Sequence, residues 1–140
     1  MTLKMDQAEL AAFLVTEFPQ VEKRFKVLSV TPDGVDLRRA VTQSDLRPGG
    51  TVSGPALFGL ADVAFYLAVL SRIGPEALAV TTNAAIDFMR KPAAGVPVIG
   101  SARVLKLGRA LAVGDVLLRS EGQEAPVARA SLTYSIPPRS

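Results

Sequence analysis

With 140 residues, 49% of them apolar, and a net charge of +3, the chain can build one core and lacks the composition of a disordered segment. It contains no cysteine and no histidine. That excludes disulfides, thiolate nucleophiles, histidine-dependent triads and most zinc sites, and leaves acid–base chemistry to Asp, Glu, Lys or Tyr.

Residues 6–17 predict a short amphipathic helix, with Leu10, Phe13 and Leu14 at helical spacing and Pro19 closing it. Lys4, Asp6, Glu9 and Glu17 interrupt the apolar residues at this end, which is not a secretory pattern, so a cytoplasmic location is expected. A hairpin follows. Phe25, Val27 and Ser29 alternate with Lys26, Leu28 and Val30, Thr31-Pro32-Asp33-Gly34 makes the turn, and Val35, Leu37, Arg39 and Val41 share one face of the return strand. Residues 42–54 are a polar, glycine-rich connection.

The next segment is apolar on every side. From Pro55 to about Arg72 no polar stripe interrupts the helical pattern, Pro55 suits the helix start, and Gly74-Pro75 is the stop. Such a helix is buried or spans a membrane; its length is at the lower limit for a span and Asp62 interrupts it, so a buried core helix is expected. The period then changes to two. Val80 to Met89, Val96 to Leu107, Ala110 to Arg119 and Ala125 to Ile136 read as four strands in hairpin sequence. The fold class is α+β: an antiparallel sheet of about six strands wrapped around one long helix, with a short N-terminal helix. Residues 1–140 read as one domain, with residues 1–20 as its N-terminal segment. The wrapping sheet would account for the missing polar stripe.

Asp62 is the residue that this pattern does not call for. A carboxylate buried without a partner costs several kcal/mol or shifts its titration upward. Pro55 and Asp62 lie about two helical turns apart on nearly one face, so one pocket along that face would join the helix N-terminus to the carboxylate. Free N–H groups at that terminus stabilise developing negative charge, and Gly54 and Gly50 admit a ligand close to the backbone. Ordinary capping by Ser53 or Gly54 is the competing reading. The basic groups are uneven: residues 1–89 carry eight against ten acidic, and residues 90–140 eight against three. Arg90, Lys91 and Arg109, at strand ends beside turns, suit phosphate, although each alone reads as a surface charge. No phosphate-binding glycine loop, dinucleotide fingerprint or nucleophile elbow is present, and aromatic residues are too few for a nucleic-acid stacking platform.

The run Pro48-Gly49-Gly50-Thr51-Val52-Ser53-Gly54-Pro55-Ala56-Leu57-Phe58-Gly59-Leu60-Ala61-Asp62 resembles the signature of PaaI-like hotdog thioesterases, and the resemblance extends from about Phe25 to Tyr134. In that family a His-Gly-Gly triplet precedes the helix and a catalytic Asp or Glu follows nine residues after the His. The resemblance implies a hotdog fold, homodimers that often pair again into dimers of dimers, and sites shared between subunits. The carboxylate then comes from one subunit and the helix-end N–H from the other. It implies Asp62 as nucleophile or general base and the Gly54 N–H as oxyanion donor. It further implies that Thr81 helps orient water, and that Arg90, Lys91 and Arg109 meet the phosphates of coenzyme A. The family His is Ser53 here, its second Gly is Pro55, and the Asn that often precedes the His is Arg47.

The expected activity is hydrolysis of an acyl-CoA thioester, with coenzyme A as part of the substrate and no separate cofactor or metal. The alternative is a non-catalytic hotdog protein that binds acyl-CoA or another acyl ligand. A hotdog dehydratase is disfavoured by the absence of histidine, and neither nucleic acid nor membrane is an expected partner.

Overall fold

The computed structural model describes residues 3–19 and 22–138. The elements in chain order are α1 (Gln7–Glu17), a 3-10 turn (Glu22–Arg24), β1 (Phe25–Thr31), β2 (Gly34–Arg39), a second 3-10 turn (Gln43–Asp45), α2 (Gly54–Ile73), β3 (Val80–Phe88), β4 (Val98–Leu107), β5 (Leu111–Ser120) and β6 (Pro126–Ser135).

Local chemistry sets the helix ends. Asp6 caps α1 reciprocally: its Oδ1 accepts the Glu9 N–H at 2.9 Å, and Glu9 Oε1 accepts the Asp6 N–H at 3.1 Å. Ser53 caps α2, its hydroxyl accepting the Ala56 N–H at 3.3 Å. Helix α2 therefore starts at Gly54, one residue earlier than Pro55 suggests. Gly74, at φ 94°, ends it in a backbone conformation that favours glycine. Strand β4 begins at Val98 instead of Val96, because Pro97 has no N–H for the ladder. Strand β2 stops at Arg39, short of Val41. The alternation read in β1 fails beyond Val27, where a register shift before Ser29 leaves Val27 as that strand's buried residue.

All strand pairs are antiparallel, and the sheet runs β1-β2-β4-β5-β6-β3. The hairpin sequence expected of the last four strands holds from β4 to β6 and is corrected for β3, which pairs with β6. Residues 89–97, with Pro92 and Pro97, form a crossover between β3 and β4 instead of a tight turn. The inner face of the sheet packs on α2, which is the hotdog arrangement. Leu60, Phe65, Leu67 and Leu70 are fully buried there, each contributing roughly 2 kcal/mol relative to exposure. The helix lies close because β5 has a glycine beneath it. A Cβ at Gly114 would overlap the Phe65 ring and the Arg103 carbonyl oxygen.

The sheet does not cover α2 on every side. Pro55 and Phe58 are exposed, and Gly59, Asp62 and Val63 are partly so. These positions form one stripe at helical spacing, so the expectation that the sheet alone accounts for the missing polar face is corrected: an apolar stripe of α2 stays open. Helix α2 is long and apolar enough to cross a membrane by length and composition, yet most of it is buried within the fold.

Strand β3 is the sheet's edge after β6, and only Thr81 and Ile86 along it are partly buried. Strict alternation puts these two on opposite faces. A register shift between Thr81 and Asn83 makes Thr82 an extra residue and reverses the alternation there. Thr81 pairs with Tyr134 and Ile86 with Ala130, both buried positions of β6, so both face inward.

Candidate functional site

Asp62 projects from the open stripe of α2, half-buried, into a cleft of about 370 Å³. It is neither fully buried nor unpartnered, contrary to the expectation from the helix pattern. Thr81 Oγ1 donates to Asp62 Oδ1 at 2.6 Å, and the Tyr134 hydroxyl donates to the same oxygen at 2.8 Å. The Tyr134 hydroxyl also lies 3.1 Å from the Asp62 carbonyl oxygen. Oδ2 accepts from no described residue. The β3 bulge makes this possible, because without it Thr82 would occupy the inward position.

The cleft is walled by Phe18, Val63, Tyr66, Ala77, Ala79 and Val80 as well as the three bonded residues. Tyr66 stacks edge-on with Phe18, ring centroids 5.7 Å apart, and lies 5.9 Å from Tyr134. Burial, then the negative charges of Glu17 and Glu76, pushes the Tyr66 phenol up to about 12. Burial and the charge of Asp62 hold the Tyr134 phenol further above its ordinary range, so it stays a donor at any physiological pH.

Sequence reasoning missed Tyr134. The available signal was weak: an inward-facing tyrosine in a strand needs a partner for its hydroxyl.

The helix N-terminus opens on a second cleft, of about 420 Å³. Gly54 lines it together with Arg47, Thr51, Leu57, Phe88, Arg90 and Lys91. The Gly54 N–H belongs to the first helical turn, whose amides lack acceptors within the helix, and no described residue accepts from it. The Phe88 ring lies against it, since a Cβ at Gly54 would stand 3.3 Å from Phe88 Cζ. Ser53 uses its hydroxyl on the Ala56 N–H, the capping role.

A buried ion pair anchors this end. Arg39 donates to Asp45 Oδ1 at 2.7 Å, while Asp45 Oδ2 accepts the Thr42 N–H at 2.9 Å and its hydroxyl at 3.1 Å. The Asp45 carbonyl accepts the Ser53 N–H at 2.7 Å, tying the start of the loop to its last residue. Burial works to raise the Asp45 carboxyl. The Thr42 N–H and the Arg39 guanidinium outweigh it and hold the group below its ordinary value of 3.8. Gly49 and Gly50, at φ 93° and 80°, turn the loop between these anchors.

The predicted residues therefore fall into groups. Asp62 and Thr81 meet directly. Gly54, Arg47, Arg90 and Lys91 share the second cleft, with Ser53 capping the helix beside it and Gly50 in the adjoining turn. Arg109 lies apart, in a cleft with Ala110, Ile136 and Pro138. Within one chain Asp62 and Gly54 open on different clefts, about 12 Å apart along the helix axis. The single pocket inferred from their shared face is corrected accordingly. A further cleft, about 600 Å³ between α1 and β1, is lined by none of these residues.

Comparison with known proteins agrees with this architecture. The family model described as Thioesterase superfamily matches residues 49–127, which contain Gly54, Asp62, Thr81, Arg90, Lys91 and Arg109. A provisionally named esterase of Deinococcus radiodurans is 32% identical over 117 residues, 80% of this chain and 77% of that protein. A provisionally named thioesterase of Silicibacter sp. TM1040 is 56% identical and superimposes with a TM-score of 0.92, covering 99% of this chain and 96% of that one. A single-substitution mutant of the phenylacetic acid degradation protein PaaI of Thermus thermophilus is 32% identical, with a TM-score of 0.72 over 85% of this chain and 99% of that one. The chain belongs to the thioesterase superfamily.

Proposed function

We propose that the protein hydrolyses an acyl-CoA thioester, with Asp62 as general base and the Gly54 N–H as oxyanion donor. The observation that carries this reading is the Asp62 carboxylate, with one oxygen held by two hydroxyls and the other taking no donor from the described residues, beside an apolar, aromatic-walled cleft. Asp62 Oδ2 takes a proton from water, and the oxygen of that water bonds to the acyl carbon. The carbonyl oxygen gathers negative charge against the Gly54 N–H and the positive end of α2. The C–S bond then breaks, and the thiolate leaves with the proton.

Two clefts on one chain cannot act on one thioester, and a second copy completes the site. The exposed apolar residues of β3 and the open stripe of α2 both support such an interface. In the dimer, Asp62 of one protomer faces Gly54 of its partner. Arg47, Arg90 and Lys91, beside Gly54, hold the phosphates of coenzyme A, and Arg109 is a further candidate contact for them.

Free thiol released from acetyl-, hexanoyl-, decanoyl- and benzoyl-CoA tests the activity, and the chain has no cysteine to add background. Turnover of at least one substrate, abolished in Asp62→Asn, is expected. Calorimetric binding of the same panel without turnover overturns hydrolysis in favour of a non-catalytic acyl-CoA protein. A single turnover in oxygen-18 water that labels Asp62 shows that it attacked the acyl carbon and that water then opened the anhydride at the Asp62 carbon; the base reading expects the label in the released acid alone.

A further inference from the structure

We propose that Tyr134 is the positioning residue of this site: with Thr81 it fixes Asp62 Oδ1 and thereby makes Oδ2 the reacting oxygen. The inference deepens the thioesterase reading and rests on it only for its kinetic consequence.

The two oxygens of Asp62 stand in different surroundings. A carboxylate at the end of a rotatable side chain presents either oxygen to a substrate unless something distinguishes them. Here Oδ1 takes both donors, at 2.6 and 2.8 Å, and Oδ2 takes none from the described residues. An oxygen that accepts two hydrogen bonds is the weaker base, so proton uptake goes to Oδ2.

The two donors are unequal. Thr81 lies on β3, which within the chain pairs on one side only, next to a bulge. Tyr134 is 3% exposed, on β6 between β5 and β3, and its ring is wedged between Phe65, at 5.6 Å, and Tyr66, at 5.9 Å. The same hydroxyl lies 3.1 Å from the Asp62 carbonyl oxygen, so it locates backbone and side chain together. The rigid partner of Asp62 is therefore the tyrosine. The titratable groups that act on Tyr134 are Asp62 and Tyr66, both on α2, and together with burial they keep its proton in place. No histidine exists in the chain to do this work.

Tyr134→Phe removes the hydroxyl and keeps the ring between Phe65 and Tyr66, so the fold is retained. The substitution should lower kcat by about 10- to 100-fold with KM within about threefold, the size expected for one hydrogen bond to a charged group. Thr81→Val should lower kcat less, and the double variant should lose less than the product of the two, since both donors serve one oxygen.

A readout without turnover keeps the two readings separate. The carbon-13 signal of the Asp62 carboxyl, read without substrate at neutral pH, should move between the wild type and Tyr134→Phe, because the group loses one of its two donors. Unchanged kcat together with an unchanged carbon-13 signal overturns the role of Tyr134. A wild type that turns over no thioester, with the carbon-13 signal still displaced in Tyr134→Phe, leaves Tyr134 positioning Asp62 and overturns hydrolysis instead.

Discussion

The two clefts of α2 differ in how their polar groups are held. Among the described residues, the Asp62 carboxylate is held by side chains of the sheet, Thr81 on its edge strand and Tyr134 within it. Around Gly54 the donor is backbone, and the cations Arg47, Arg90 and Lys91 are exposed. The contrast suits the two proposed tasks. Proton transfer fails when an oxygen is misplaced by a fraction of an ångström, whereas a multiply charged phosphate group can be held by flexible cations at the cost of little precision. The loop that carries Arg47 is tied to the buried pair Arg39–Asp45 through the Ser53 N–H, which donates to the Asp45 carbonyl.

Removing the proton acceptor is the largest break in this comparison. Asp62→Asn should lower kcat by about 10²- to 10⁴-fold while leaving the thermal midpoint near that of the wild type, because the amide oxygen still accepts from Thr81 and Tyr134. Steady-state kinetics beside thermal denaturation checks both halves.

The next effect is on stability. Asp45→Asn leaves the Arg39 guanidinium buried without its anion and should cost about 3 kcal/mol in chemical denaturation. The pH dependence has the opposite sense to a histidine switch. Because the folded Asp45 carboxyl lies below its ordinary 3.8, its contribution is present above about pH 4 and is lost as pH falls through the lower folded-state value. In the wild type, stability should fall in that window, and in Asp45→Asn it should fall less.

A charge on the open stripe sharpens the claim that the clefts meet across subunits. If the proposed dimer forms, Phe58→Lys should give monomer in sedimentation and lower kcat/KM by about tenfold or more, with the monomer folded because Phe58 is 37% exposed. The smallest effects belong to the exposed cations. Replacing Arg90 and Lys91 together by Ala should raise KM by about tenfold at low salt with kcat held, and the difference should shrink as salt is added. Arg109→Ala should change KM less than that pair, since it lines a different cleft.

Much of this molecule was legible in the chain. The apolar run from Pro55 to Arg72, the turn residues and the switch to period two determined one long helix and six strands in their order along the chain, because hydrophobic periodicity and backbone chemistry are local properties. Asp62 stood out for the same reason: a charge in an otherwise apolar pattern is visible without a structure. What the chain did not display depends on pairing and register. Strand β3 joins β6 instead of its neighbour in sequence, and the extra residue at Thr82 turns Thr81 inward. The pairing of Thr81 with Tyr134 then brings both hydroxyls to Asp62 Oδ1. Tyr134 is 72 residues from Asp62 in sequence. Only the assembled sheet decides that they meet, because no local periodicity encodes a bulge or a contact between distant residues.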